Sequence, residues 1–487
     1  MKKYIKQFLL ILIASGGIIS CENTDFGNTN VDPDSPSDPN SAGFLTYAER
    51  YMANNIITAT GPLTYVQHVS NITYTDESRY VTVNWDSDGL YVYPLINLKE
   101  IIDLNSDPST ADSQLTYGSN ANQIAVAKIF TAYIYHGMTD RWGMLPYTEA
   151  LQGLDNTYPA FDSQEEIYDS LFTEIDEAIA MMDSGEGPTG DIIFSGDMAR
   201  WEQFGRTLQM VMALRLSNVY PSPSGYAATK FNAAMSGAIS STSENIAFPF
   251  LTDDNNDNPW QDRFQTREDY GVSDVLVDRL LADADPRIDA YADYTRNSVD
   301  AGTPEYIGMP YGLTNSEYLA VEISLPDSAI INEGDFPGMI FSYSEIAFAL
   351  AEAVELGWIS GDASAYYEAG ITSSFEQWGV EGAADYIATV PLSTDAETAV
   401  QQIAEEKWKA LYLQGYEAWA EWRRTGYPEL TPAVEPLNGS EIPVRHGYDT
   451  DFAASNEANY NAAVSIQGAD VLSTNLWWDV AHPITGK

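Results

Sequence analysis

The chain has 487 residues, enough for about three ordinary domains or one large solenoid. With 44 % hydrophobic and 19 % charged residues it has a globular composition, which excludes disorder for most of its length. Its 23 Lys and Arg face 71 Asp and Glu, a formal net charge of −48. Such a field repels phosphate backbones instead of releasing their counterions, so nucleic acid is excluded as a partner.

The first twenty residues differ in kind from the rest. Lys2, Lys3 and Lys6 precede an apolar run over 8–19, the length of a signal-peptide hydrophobic region and too short to span a bilayer. The only cysteine, Cys21, follows Ile18-Ile19-Ser20. The arrangement resembles the lipobox of bacterial lipoproteins, with Ile18 where Leu is usual. Residues 1–20 are therefore expected to be a lipoprotein signal peptide and Cys21 the lipidation site. An ordinary secretory signal with an incidental cysteine is the alternative. Without further cysteines the mature chain can form no internal disulfide, thiolate nucleophile or cysteine-based zinc site. Residues 22–41, ENTDFGNTNVDPDSPSDPNS, have the composition of a flexible tether, so 21–41 reads as a lipidated tether and 42–487 as a single helical domain.

Helical signals dominate that body. Ser163 and Glu166 form a capping box before Ile167, Leu171, Ile175, Ile179 and Met182, and Gly185 closes the run. Trp201, Phe204, Leu208, Val211 and Leu214 make a second stripe. Ser342 with Glu345 opens a third helix, Asp362 a fourth, and Thr394 with Glu397 a fifth carrying Val400, Ala404, Trp408 and Leu411. Helices pair as 123–138 with 164–184, 199–219 with 226–240, 342–357 with 362–378, and 396–413 with 416–424. The predicted fold is mainly α, with four degenerate tetratricopeptide-type helix pairs as scaffold. The intervals 62–95 and 243–340 are rich in Asn, Asp, Gly, Pro and aromatics, and are expected to form a loop-rich ligand-binding face with short strands.

Catalytic motifs are missing from this sequence. Gly185, Gly187 and Gly190 satisfy GxGxxG but follow a helix, with Pro188 inside the turn. His68, His136, His446 and His482 have no HExxH spacing, and no GxSxG occurs. Asp253, Asn255 and Asp257 imitate a calcium loop, but Asn258 and Phe264 stand where Gly and a bidentate Glu are needed. The expectation is a protein that is not an enzyme and has no cofactor and no metal site.

Several blocks in order carry a family resemblance: DFGNTNVDP (25–33), DRWGMLPYTEA (140–150), YPAFDSQEEIYDSLFTEIDEAIAMMD (158–183), GDMARWEQFGRTLQMVMALRLSNV (196–219), SYSEIAFALAEAVELGWISGDASAYYEAGI (342–371), WAEWRRTGYPEL (419–430), IPVRHGY (442–448) and LWWDV (476–480). Together they resemble the SusD/RagB family of nutrient-binding outer-membrane lipoproteins of Bacteroidetes, in its SusD-like subgroup, with Asp449 replacing the Pro usual after the tyrosine. The resemblance implies a lipid-anchored protein on the outer membrane, facing the cell exterior, that captures a glycan for a SusC-like TonB-dependent transporter. A peptide-binding member and a surface glycoside hydrolase are the alternatives, and a structural adhesin is a third class.

Sugar capture has its own physical signature, because the apolar C–H face of a pyranose stacks on an aromatic ring while polar groups at the rim bond its hydroxyls. Tyr74, Asp76, Arg79, Tyr80 and Trp85 have this pattern, as do Trp260, Arg263 and Phe264, and Tyr306 with Tyr311 around Gly308 and Pro310. Each group also reads as packing on a core. Trp408, Trp419, Trp422, Trp477 and Trp478 are expected to be structural.

Overall fold

The described residues, 39–439 and 441–479 of a computed structural model, are carried mainly by helices with short strands between them. The expected signal peptide, Cys21 and nearly all of the tether lie outside the described residues. In chain order the principal elements are α1 (Ser41–Met52), α2 (Gly61–Tyr65), β1 (Val69–Asn71), α3 (Ile96–Ser106), α4 (Asn120–Trp142), α5 (Gln164–Met181), α6 (Met198–Arg215), α7 (Tyr226–Met235), β2 (Ile246–Phe248), α8 (Pro259–Phe264), β3 (Tyr270–Val272), β4 (Gly338–Phe341), α9 (Tyr343–Glu355), α10 (Ala363–Gln377), α11 (Ala396–Ala410) and α12 (Gly415–Thr425). Among the described residues, those from Ser41 onward form one compact unit. Among the described residues no helix is long and apolar enough to cross a membrane.

Side chains at the caps fix where the helices start. The Ser163 hydroxyl accepts from the Glu166 N–H, and the Glu166 carboxylate accepts in return from the Ser163 N–H at 3.0 Å. Asp362 caps α10 by accepting from the Ser364 N–H. Two caps differ from expectation. Asp395, not Thr394, caps α11, since its carboxylate accepts from both the N–H and the hydroxyl of Thr398. Ser342 caps α9, but Glu345 does not reach back to it and is buried instead.

Four helix pairs pack as neighbours: α4 on α5, α6 on α7, α9 on α10 and α11 on α12. Gly370 shows how close the third pair comes, because a Cβ there would stand 2.8 Å from the Phe348 ring. The two-stranded sheets are small. β1 runs antiparallel to β3 with Val69 opposite Val272, and β2 runs antiparallel to β4 with a register shift between Ile246 and Ala247.

Apolar burial divides into two main clusters. One gathers Trp142, Phe130, Trp201, Phe204 and Ile346 from the helix pairs. The other gathers Tyr65, Val69, Trp260, Val272, Trp408, Trp419 and Trp422 around α2, β1 and α12. Each fully buried large side chain contributes roughly 1.5 to 3 kcal/mol relative to exposure. Trp408, Trp419, Trp422 and Trp478 are buried as expected, whereas Trp477 is half-buried and lines a surface cleft with Tyr220 and Tyr226. Trp85 packs against both clusters, and this seam is where a cavity opens.

Candidate functional site

Trp85 is positioned by backbone pairing between two distant segments. Asn84 forms a parallel bridge to Gly447, the Trp85 N–H donates to the Gly447 carbonyl at 3.2 Å, and the Gly447 N–H donates to the Val83 carbonyl at 2.9 Å. The pairing lays the indole on the His446 imidazole, with centroids 4.4 Å apart and planes 8° from parallel, and His446 in turn stacks on Trp419 at 5.0 Å. Tyr65 meets Trp85 edge-on at 6.4 Å. Gly61, at the start of α2, leaves room for the ring, because a Cβ there would come 2.5 Å from Cη2 of Trp85. The indole is thus clamped on one side and half-buried, and it borders a cavity of about 420 Å³, within the range of small-ligand sites.

Arg141, at the end of α4, forms part of the cavity wall with Tyr416. Its guanidinium lies 4.1 Å from the Trp142 ring centroid and 4.3 Å from that of Tyr416, and its Nε donates to His446 Nδ1 at 3.4 Å. Among the described residues it makes no ion pair. Burial pulls the Arg141 guanidinium below its ordinary value, and burial, then Arg141 and Arg423, hold His446 well below the usual histidine range. His446 is therefore neutral, and accepting at Nδ1 leaves its proton on Nε2.

Another part of the lining comes from Arg263, Tyr270, Glu77 and Thr60. The Glu77 carboxylate accepts from the Tyr270 hydroxyl at 2.8 Å and from Asn71 at 3.1 Å. Burial, then Glu77, pushes the Tyr270 phenol up to about 12. Arg263 lies 5.3 Å from the Trp260 ring centroid; its Nη1 is buried without an acceptor, and burial lowers its pKa. Tyr51 lines the cavity as well and stacks on Tyr93 at 5.2 Å, extending an aromatic surface to solvent.

Of the residues singled out from sequence, the fold brings Tyr80, Trp85 and Arg263 together on this cavity. The others lie elsewhere. Tyr74 is exposed, with the Arg267 guanidinium 4.7 Å from its ring centroid. Asp76 is exposed at the turn leading to Tyr80, and Arg79 donates to the Glu435 carbonyl at 2.8 Å, which pins it to another loop. Trp260 corrects the expectation of an accessible loop ring: Asn258 caps α8 by accepting from the Trp260 N–H at 2.8 Å, and the side chain is 1 % exposed. Phe264 packs half-buried on it at 6.3 Å. Tyr311 donates its hydroxyl to the Thr64 carbonyl at 2.7 Å, which ties it into the wall behind α2. Tyr306 stacks on Tyr294 at 4.3 Å and donates to Asp289, away from the cavity lining.

Sequence reasoning passed over Tyr51, Tyr65, Arg141, Tyr416 and His446 as lining or backing groups. Tyr47 and Tyr51, one helical turn apart on α1, were the nearest signal. Outside the cavity, Asp88, Asp449 and Asp451 bring carboxylate oxygens within 4.8 Å of one another, the one such grouping among the described residues. Asp449, the departure from the family pattern, caps the turn at Thr450–Ser455. Burial, followed by repulsion from Asp449, Asp86 and Asp451, pushes the Asp88 carboxyl up to about 6.

Residues 33–449 match the model of the SusD-like family described as starch-binding and associating with the outer membrane. The chain belongs to the SusD-like family. No curated protein sequence matches it. Solved structures similar to this SusD-like chain include a chitin-binding protein, 26 % identical over 91 % of this chain and 100 % of that one, with a TM-score of 0.76. An outer-membrane protein of Bacteroides vulgatus assigned to nutrient binding is 25 % identical over 90 % of this chain and 100 % of that one, with a TM-score of 0.78. A SusD homologue of Bacteroides fragilis reaches a TM-score of 0.79 at 21 % identity, over 91 % of this chain and 100 % of that one, a likeness of fold alone.

Proposed function

We propose that this protein is a non-catalytic lipoprotein of the outer membrane that captures glycan in the Trp85 cavity at the cell surface and delivers it to a SusC-like TonB-dependent transporter. The observation that carries the reading is the Trp85 ring, backed on one face by His446 and bordering a cavity of about 420 Å³ with Tyr51, Tyr65 and Tyr416. An indole fixed in this way offers an apolar face to a pyranose without losing rotamer entropy on binding. The family description and the chitin-binding relative support a carbohydrate. Anchoring through Cys21, the exterior orientation and kinship of the four helix pairs with tetratricopeptide repeats belong to the same proposal.

Trp85→Ala tests it. With the purified full chain titrated against a panel of neutral polysaccharide fragments, the expected loss is about 1 to 2 kcal/mol, roughly tenfold in affinity. Affinity unchanged per folded molecule would remove the cavity from the binding reaction. Incubation of the wild type with each fragment is expected to release no new reducing ends. Reducing ends above a heat-treated control would make it a hydrolase.

A further inference from the structure

The arginines withdrawn from solvent differ in what answers their charge. Arg215, Arg287, Arg424 and Arg445 are buried, and each lies within hydrogen-bonding distance of a carboxylate. Arg423, also buried, donates to the carbonyls of Asp140 and Val444. Arg141 and Arg263 follow neither pattern. Both line the Trp85 cavity, neither has a carboxylate partner among the described residues, and Nη1 of Arg263 is buried without an acceptor. A guanidinium withdrawn from water without a counterion is costly, and the planar anion that fits its fork is a carboxylate. Asp86 attracts Arg141, and Asp262 and Glu77 attract Arg263, but among the described residues none of these acids forms an ion pair with them. Glu77 is engaged by the hydroxyl of Tyr270 and the amide of Asn71, and Asp86 accepts from the Gly89 N–H.

We infer that the cavity is built for an acidic glycan, in which a hexuronate ring rests on Trp85 and its carboxylate bridges to the guanidinium of Arg263. This inference rests on the proposed glycan-binding function and names its substrate class. The chain's net charge of −48 repels a polyanion at long range. Recognition therefore depends on short-range contacts, and at physiological ionic strength the field is confined to about 8 Å. A neutral sugar would leave the Arg263 guanidinium without an ion pair, whereas a uronate supplies one.

The experiment compares matched ligands at physiological salt: oligogalacturonate, oligomannuronate and hyaluronan oligosaccharides, each against its carboxyl-reduced neutral form, titrated into the full chain. The expected result is that an acidic form binds roughly tenfold or more tightly than its reduced form. Arg263→Gln should bring the two forms to within about twofold, and Arg263→Lys, which keeps the charge but not the fork, should retain part of the preference. Thermal unfolding of both variants checks that they are folded, and Arg263→Lys carries the test if the glutamine variant is not. Equal binding of acidic and reduced forms, or a preference that survives both substitutions, would overturn the inference. If reduced forms bind in a Trp85-dependent way without any acidic preference, this inference alone falls. If neither form binds, the proposed glycan capture falls with it.

Discussion

The interface of α6, α11 and α12 and the Trp85 cavity use the same side chains to opposite ends. In the interface, Arg215 reaches Asp140, Glu417 and Glu421, while Arg424 holds Glu352 with two bonds of 2.6 Å, and Lys407 meets Glu421 at 2.8 Å. Each of these three cations is answered by an acid, so the charges hold helices together. In the cavity, Arg141 and Arg263 form no ion pair among the described residues, at a site where Trp85 supplies a flat apolar face. Ion-paired charge in the interface fixes position, and on the inference above the unpaired guanidinium of Arg263 is kept for a ligand.

The largest expected effect comes from breaking the paired side. Glu421→Ala leaves Arg215, Lys407 and Arg424 short of a partner and should lower stability by about 3 to 5 kcal/mol in denaturant unfolding. A loss under 1 kcal/mol would mean the network is not structural. Glu406 gives the same comparison a pH axis. Burial alone would raise its pKa, but Lys409 and Arg287 outweigh it and hold the carboxyl at about 2. Because the folded value is depressed, the contribution is present above the unfolded value near 4.5 and is lost as pH falls toward 2. Glu406→Gln should therefore cost on the order of 3 kcal/mol at pH 7 and progressively less below pH 4.5, read from unfolding at several pH values.

Two smaller changes sharpen the open side. Gly61→Ala forces Trp85 off its seat and should weaken glycan binding about threefold to tenfold while changing unfolding little. Unchanged affinity would show that the ring position is not critical. Asp88 is an unpaired acid rather than an unpaired base, with its carboxyl raised to about 6. A raised folded value means that its unfavourable contribution is absent below about 3.8 and complete above 6. Asp88→Asn should stabilise the chain at pH 7.5 by up to about 1 kcal/mol, a figure reduced for its half exposure, and by nothing at pH 3.5.

What sequence could show of this molecule follows from where the information is local. The helix pairs were legible because periodicity and caps lie within one element; the slip at Asp395, the burial of Glu345 and several helix ends, such as α4 at Asn120–Trp142 against an expected 123–138, escaped. Trp85 was legible as an aromatic in polar surroundings. Its backing was not, since His446, Arg141 and Tyr416 arrive from distant parts of the chain and no spacing records their meeting. Trp260 misled for a different reason. The helix that buries it, Pro259–Phe264, has six residues, too short for an apolar stripe to show.

The pairing that seats Trp85 also sets an order of events. The amide of Asn84 donates to the Tyr448 carbonyl, 364 positions along the chain, and Trp142 donates to Gly447 from 305 positions away. Contacts of such separation are the slowest to close, because the intervening chain must first be organised by its local helices. The platform is therefore a late product of folding: a chain still being made carries its indole without a backing until the last tenth of the sequence has emerged.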